Sequence, residues 1–194
     1  IFIINSFFWK YLLKLNGIKV GKKFYIEGSV SLKINGFQKV PIIFSDNVSI
    51  LGDIDLRTRE MGEILIEDNV NFDDNVRIVA AQNGKVTIGK NTRIGCYSIF
   101  NGGADITIES NCLIGSNCNI NSSDHKIQGK KDFIKLGFRH APIKICKGSW
   151  MGTNVVILPG VNIGTGVVVG ASSVVTKNIP EYSVSVGIPS EVIK

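Results

Sequence analysis

The chain has 194 residues, 44% of them hydrophobic and 20% charged, which fits one or two globular domains and excludes a disordered chain. Its net charge is +6, from 22 Lys+Arg against 16 Asp+Glu. No basic run is interleaved with aromatics, so the excess points to an anionic ligand and away from nucleic acid.

The chain opens with IFIINSFFWKYLLKLNG, in which Ile1, Ile4, Phe8, Tyr11, Leu12 and Leu15 recur at helical spacing and Gly17 can end the helix. Asn5, Ser6, Lys10 and Lys14 break up the apolar residues, so no 18-residue apolar span is present, and no A-x-A-like cleavage site marks a signal peptide. Two readings follow for this segment, residues 1–19. It lies in a membrane interface, helped by Lys10, Lys14, Lys19, Lys22 and Lys23, or it caps the open end of the domain at 20–194. The cap is preferred. The expected location is cytoplasmic, peripheral to the inner face of the cell membrane if the first reading holds.

From Val20 onward a large apolar residue recurs every six positions, at 20, 26, 32; 44, 50, 56; 66, 72, 78; 88, 94, 100; 108, 114, 120; 145, 151, 157; and 163, 169, 175. The residue four positions later is usually small, as at Val70, Thr92, Ser98, Cys112, Cys118, Val155 and Ser173. A period of six fits neither a 3.6-residue helix nor an alternating strand. It fits short strands joined by corners, three to a coil, with both marked positions turned inward. The expected fold is therefore all-β: a parallel β-helix of about seven triangular coils, roughly 34 Å tall at about 4.8 Å per strand spacing.

Successive coils start 24, 22, 22, 20, 37 and 18 residues apart, so every extra residue falls after the third hexad of its coil. The largest excess, 37 − 18 = 19 residues, is expected as a loop at 126–144 inserted after His125. It carries Lys126, Lys130, Lys131, Lys135, Arg139 and Lys144 against one acid, Asp132, and reads as a solvated arm or as a clamp for an anionic group. His125 closes the hexad from Ile120 and has the residue type of a general base, with an ordinary pKa near ~6.5. Asp124 beside it is a carboxylate that could orient an imidazole, or a turn residue. His140 is the weaker histidine candidate. The cysteines, Cys96, Cys112, Cys118 and Cys146, form no CxxC pair and are expected as small buried residues in a reducing compartment, with no metal site.

The repeat resembles that of the hexapeptide-repeat acyltransferases, and WMGTNVVILPGVNIGTGVVVGASSVVTKNIPEYSVSVGIPSEVIK from Trp150 onward resembles the end of the sugar O-acetyltransferases among them. The resemblance implies a left-handed coil, a homotrimer with sites between subunits, and acetyl-CoA as co-substrate without a metal. It implies His125 as the catalytic base. Trp150 ends the hexad from Ile145 at a different corner from His125, so in a trimer Trp150 of a neighbouring subunit is expected to complete the site. It implies cofactor contacts at Thr153, Ala171, Thr176 and Lys177; a backbone N–H near Gly152 or Thr153 is the expected oxyanion donor. Asn101 aligns with an asparagine that contacts acceptor and cofactor, and Arg139 is a candidate for an anionic acceptor. In the closing motif Glu191 stands where the family has a basic residue, which leaves Lys194 to supply that charge.

The expected activity is transfer of acetyl to a hydroxyl of a cell-surface or capsular saccharide, by direct attack. An acyl-enzyme is disfavoured because no serine or cysteine lies at a clear nucleophile position beside the base. N-acetylation of a nucleotide-linked amino sugar is the rival reaction, and a catalytically silent scaffold the non-enzymatic alternative. A zinc carbonic anhydrase on this fold needs three histidines per metal, and the chain has two.

Overall fold

Inward residues spaced six apart can stack only if each coil repeats the register of the one before, and the strand pairing shows this. The computed structural model describes residues 2–36 and 41–194; Ile1 of the helical pattern lies outside them. Three sheets, parallel except for a terminal antiparallel hairpin on the second, form the faces of a triangular column. On the first face Val20, Phe44, Ile66, Ile88, Ile108, Ile145 and Ile163 are consecutive partners. The second face aligns Ile26, Ile50, Phe72, Ile94, Ile114, Met151 and Val169, and the third aligns Leu32, Leu56, Ile78, Phe100, Ile120, Ile157 and Val175. Every residue of these ladders is buried except Leu32, which is half-buried in the first coil. The small positions between them, including Thr92, Ser98, Cys112 and Cys118, are buried as well.

The corners need backbone that L-residues seldom adopt. Asn47, Asn69, Asn91 and Asn111 occupy one corner with φ of 59, 59, 59 and 60°, a left-handed conformation that asparagine tolerates. Their side chains bond from coil to coil, the amides of Asn47, Asn69 and Asn91 each donating to the side-chain carbonyl of the next asparagine at 3.0 Å. Gly152 answers to a different constraint: a Cβ there would lie 2.6 Å from the Ala171 backbone nitrogen in the coil above.

Among the described residues, the extra positions of coils two to four do fall after the third hexad, most of them in the first-face strands Glu63–Ile66, Lys85–Ile88 and Ile106–Ile108. Third-face strands shorten up the column from 7 residues at Val30–Gly36 and Ile54–Glu60 to 5 at Val76–Ala80, 4 at Ile99–Gly102 and 3 at Asn119–Asn121.

Two expectations need correction. Helix α1, Phe2–Leu15, is hydrogen-bonded to coil one, but its predicted apolar face points away from the column. Ile4, Phe8, Tyr11 and Leu15 are exposed, and Ser6 and Leu13 are buried. Coil one has no coil beneath it, so its edge carbonyls require donors, and a polar helix edge supplies them. The long insertion also starts earlier and ends earlier than 126–144. The hexad pattern stops at Ile120, and Ser123–His125 is already a strand of the arm, paired antiparallel with Phe138–His140. Ile143–Ile145 is back in the first face, and Lys144 pairs with Glu109 at 2.8 Å and does not belong to the basic arm.

Candidate active site

The arm is a two-stranded ribbon tipped by a short helix, α2 (Phe133–Leu136), whose start is capped by Asp132 accepting from the Ile134 N–H at 3.2 Å. Pairing sets Ser123 opposite His140, Asp124 opposite Arg139 and His125 opposite Phe138. Side chains alternate along a strand, so Ser123, His125, Phe138 and His140 share one face of the ribbon, and Asp124 and Arg139 the other. The ring of Phe138 lies 4.4 Å from that of His125 and 6.0 Å from that of His140. Asp124 Oδ1 accepts the backbone N–H of His125 at 2.8 Å.

The sequence reading did not pair a serine with a histidine, yet Ser123 Oγ lies 2.9 Å from His140 Nδ1. This pair packs against Gly103, where any Cβ would collide with both side chains. Asn101 joins the same side of the column: its amide donates to Asn121 Oδ1 at 3.1 Å, and that oxygen also accepts the Ser123 N–H at 3.2 Å. The signal that could have revealed the ribbon is the two-residue spacing of Ser123 and His125 and of Phe138 and His140. Arg139 does gather with His125, since both line a cleft of about 740 Å³ with Asp124, Lys126 and Leu136.

A second concavity, about 720 Å³, runs up the second face and its following corner. Trp150, Gly152, Thr153 and Ala171 line it, with Leu113 beneath Trp150 in register. Trp150 is half exposed. The Gly152 N–H is bonded to the Val169 carbonyl at 2.8 Å, so of the two oxyanion candidates only Thr153 keeps an N–H outside the intercoil ladder. Thr176 and Lys177 lie one corner further on, after the third-face strand Val174–Val175, and Lys194 ends a hairpin that folds over the last coil. Within one chain, therefore, the His125 cleft and the Trp150 groove are separate surfaces.

Burial raises the thiol of Cys118, partly offset by the Val155 N–H, to about 11. That keeps it neutral and inert as a nucleophile. Glu109 is held below the ordinary carboxylate range by its hydrogen bond from Lys144, with burial opposing and the Lys147 N–H assisting.

No protein-family model matches the chain. It is 32% identical over 138 residues to a Mycobacterium tuberculosis protein named "Probable acetyltransferase Rv3034c", covering 71% of this chain and 46% of that one. The chain spans about half the length of the curated relatives it matches. Among solved structures, a maltose O-acetyltransferase from Clostridium difficile is 36% identical, with TM-score 0.58, over 64% of this chain and 65% of that one. AntD, an N-acyltransferase from Bacillus cereus in complex with dTDP and coenzyme A, gives TM-score 0.66 over 95% and 87% of the two chains; at 23% identity this is a likeness of fold. The column matches the left-handed parallel β-helix of acyltransferases. In its six-residue repeat, its coil register and these relatives, the chain is similar to the hexapeptide-repeat acetyltransferases.

Proposed function

We propose that this chain is an acetyl-CoA-dependent O-acetyltransferase acting on a saccharide hydroxyl, with sites completed between the subunits of a homotrimer. The observation that carries this reading is the groove beside Trp150, where Gly152–Thr153 and Gly170–Ala171 stack one coil apart and leave a small-residue channel. Such a channel fits an extended pantetheine arm: backbone lies open along it, and the residue at its upper end is no larger than alanine. Bound there, acetyl-CoA supplies an acyl group activated as a thioester. Thr153 would offer its N–H to developing negative charge on oxygen. Thr176 and Lys177, after the last third-face strand, and Lys194, at the end of the hairpin, would meet the phosphates.

On the acceptor side, His125 would accept the proton of the attacking hydroxyl and return it to the leaving sulfur. Asn101, held by Asn121, and Arg139 would position the acceptor, Arg139 favouring an anionic one. Because His125 and Trp150 occupy separate surfaces of one chain, the reading requires Trp150 of a neighbour to meet the His125 cleft. The 36% identity to a maltose O-acetyltransferase favours hydroxyl over amino acceptors.

The experiment is transfer of labelled acetyl from acetyl-CoA to a panel of neutral, anionic and amino sugars. Preference for an amino group would replace this reading with N-acetylation, and no transfer to any member would count against an enzyme of this class. Thr153→Trp should fill the groove. Coenzyme A is expected to raise the melting temperature of the native chain and not of this variant; equal protection of both would move the cofactor elsewhere.

A further inference from the structure

Helix α1 is attached by its polar edge. The Asn5 amide donates to the carbonyls of Ile26, Glu27 and Gly28 at 3.2, 3.0 and 2.8 Å. Ser6 Oγ accepts from the Ile26 N–H at 2.9 Å, and Lys10 reaches the Gly21 carbonyl. These bonds satisfy the open edge of coil one and fix the rotation of the helix. The consequence is that Ile4, Phe7, Phe8, Tyr11 and Leu15, one stripe at helical spacing, project outward with exposures of 76, 71, 57, 67 and 65%. Stability of the column alone gives no reason for five large apolar side chains there.

The charge around the stripe selects what covers it. Residues 1–26 contain Lys10, Lys14, Lys19, Lys22 and Lys23 and no acid. Lys14 flanks the stripe on the helix, and Lys23 borders a groove of about 310 Å³ that it shares with Ile3, Phe7, Lys10 and Phe24. A symmetric contact with a second copy would bring these lysines against their own counterparts. An anionic lipid surface meets both features at once, acyl chains for the stripe and headgroups for the amines.

We propose that the outward face of α1 binds an anionic membrane surface, seating Phe7, Tyr11 and their neighbours at the acyl boundary with Lys14, Lys22 and Lys23 among the headgroups. The geometry is that of a helix lying in the interface. No helix among the described residues is long and apolar enough to cross a membrane. This inference stands on the docking of α1 and does not depend on the reaction proposed above.

The test is co-sedimentation of the full chain with phosphatidylcholine vesicles, with and without phosphatidylserine. Binding is expected only with phosphatidylserine and should fall with salt. Phe7→Ser/Tyr11→Ser and, separately, Lys14→Glu/Lys23→Glu should each weaken it by roughly tenfold or more. All four positions are exposed, so circular dichroism should report native coils in both variants. Binding that ignores lipid charge, or that survives both variants, would overturn the proposal. So would a lack of binding, or a concentration-dependent association of the chain with itself that Phe7→Ser/Tyr11→Ser abolishes.

Discussion

Replacing His125 with alanine is expected to lower acetyl transfer by roughly 10²–10⁴-fold, the usual worth of a general base, with the thermal unfolding transition left in place. The second half follows from position. His125 is exposed on a ribbon outside the column, and among the described residues the ring packed beside it is that of Phe138, at 4.4 Å. Initial rates at saturating acetyl-CoA, with circular dichroism as the control for folding, decide the matter. A near-normal rate in a folded variant would remove His125 from the chemistry, and a collapse on His140→Ala instead would move the base to the Ser123–His140 pair. The separation of the His125 cleft from the Trp150 groove adds a sharper expectation. Inactive His125→Ala and Trp150→Ala chains, mixed and allowed to exchange subunits, should regain part of the native rate. A mixture that stays silent after demonstrated exchange would mean that the two residues do not share a site.

Phe100→Ala is expected to cost about 3–5 kcal/mol of stability. The ring is fully buried, lies mid-column on the third face, and is held in register between Ile78 below and Ile120 above. Neighbouring coils are tied by their backbone ladders, so they can close on the void only partly. Urea unfolding followed by circular dichroism should show a clearly lower midpoint, while Phe138→Ala on the ribbon should barely move it. A loss below about 1 kcal/mol for Phe100 would mean that the column relaxes more freely than parallel pairing suggests.

The ladders could be read from the sequence because one inward residue per hexad is a strong periodic signal, and the structure places Ile120 and Ile145 in the same phase as their columns despite the excursion between them. The ribbon could not be read this way. Ser123 and His125 continue the count of a hexad on paper, but they alternate as strand residues once Phe138–His140 is alongside, and such pairing is non-local. The attitude of α1 was hidden for another reason. Apolar periodicity shows that a helix has an apolar face and says nothing of which face docks; here the unpaired carbonyls of coil one decided it. Trp150, Gly152, Thr153 and Ala171 were placed by the motif and lie on one groove, whereas Thr176, Lys177 and Lys194 are set by where the later corners fall.

At its base the ribbon is closed by a single backbone hydrogen bond, from the Ala141 N–H to the Ser122 carbonyl at 3.0 Å. Its two ends therefore already stand at the separation of a tight turn. Cutting back or lengthening the segment between them is therefore expected to leave every ladder residue in register. If the ribbon positions the acceptor as proposed, changes confined to it that keep His125 are expected to alter the acceptor served and to leave every coil as it was.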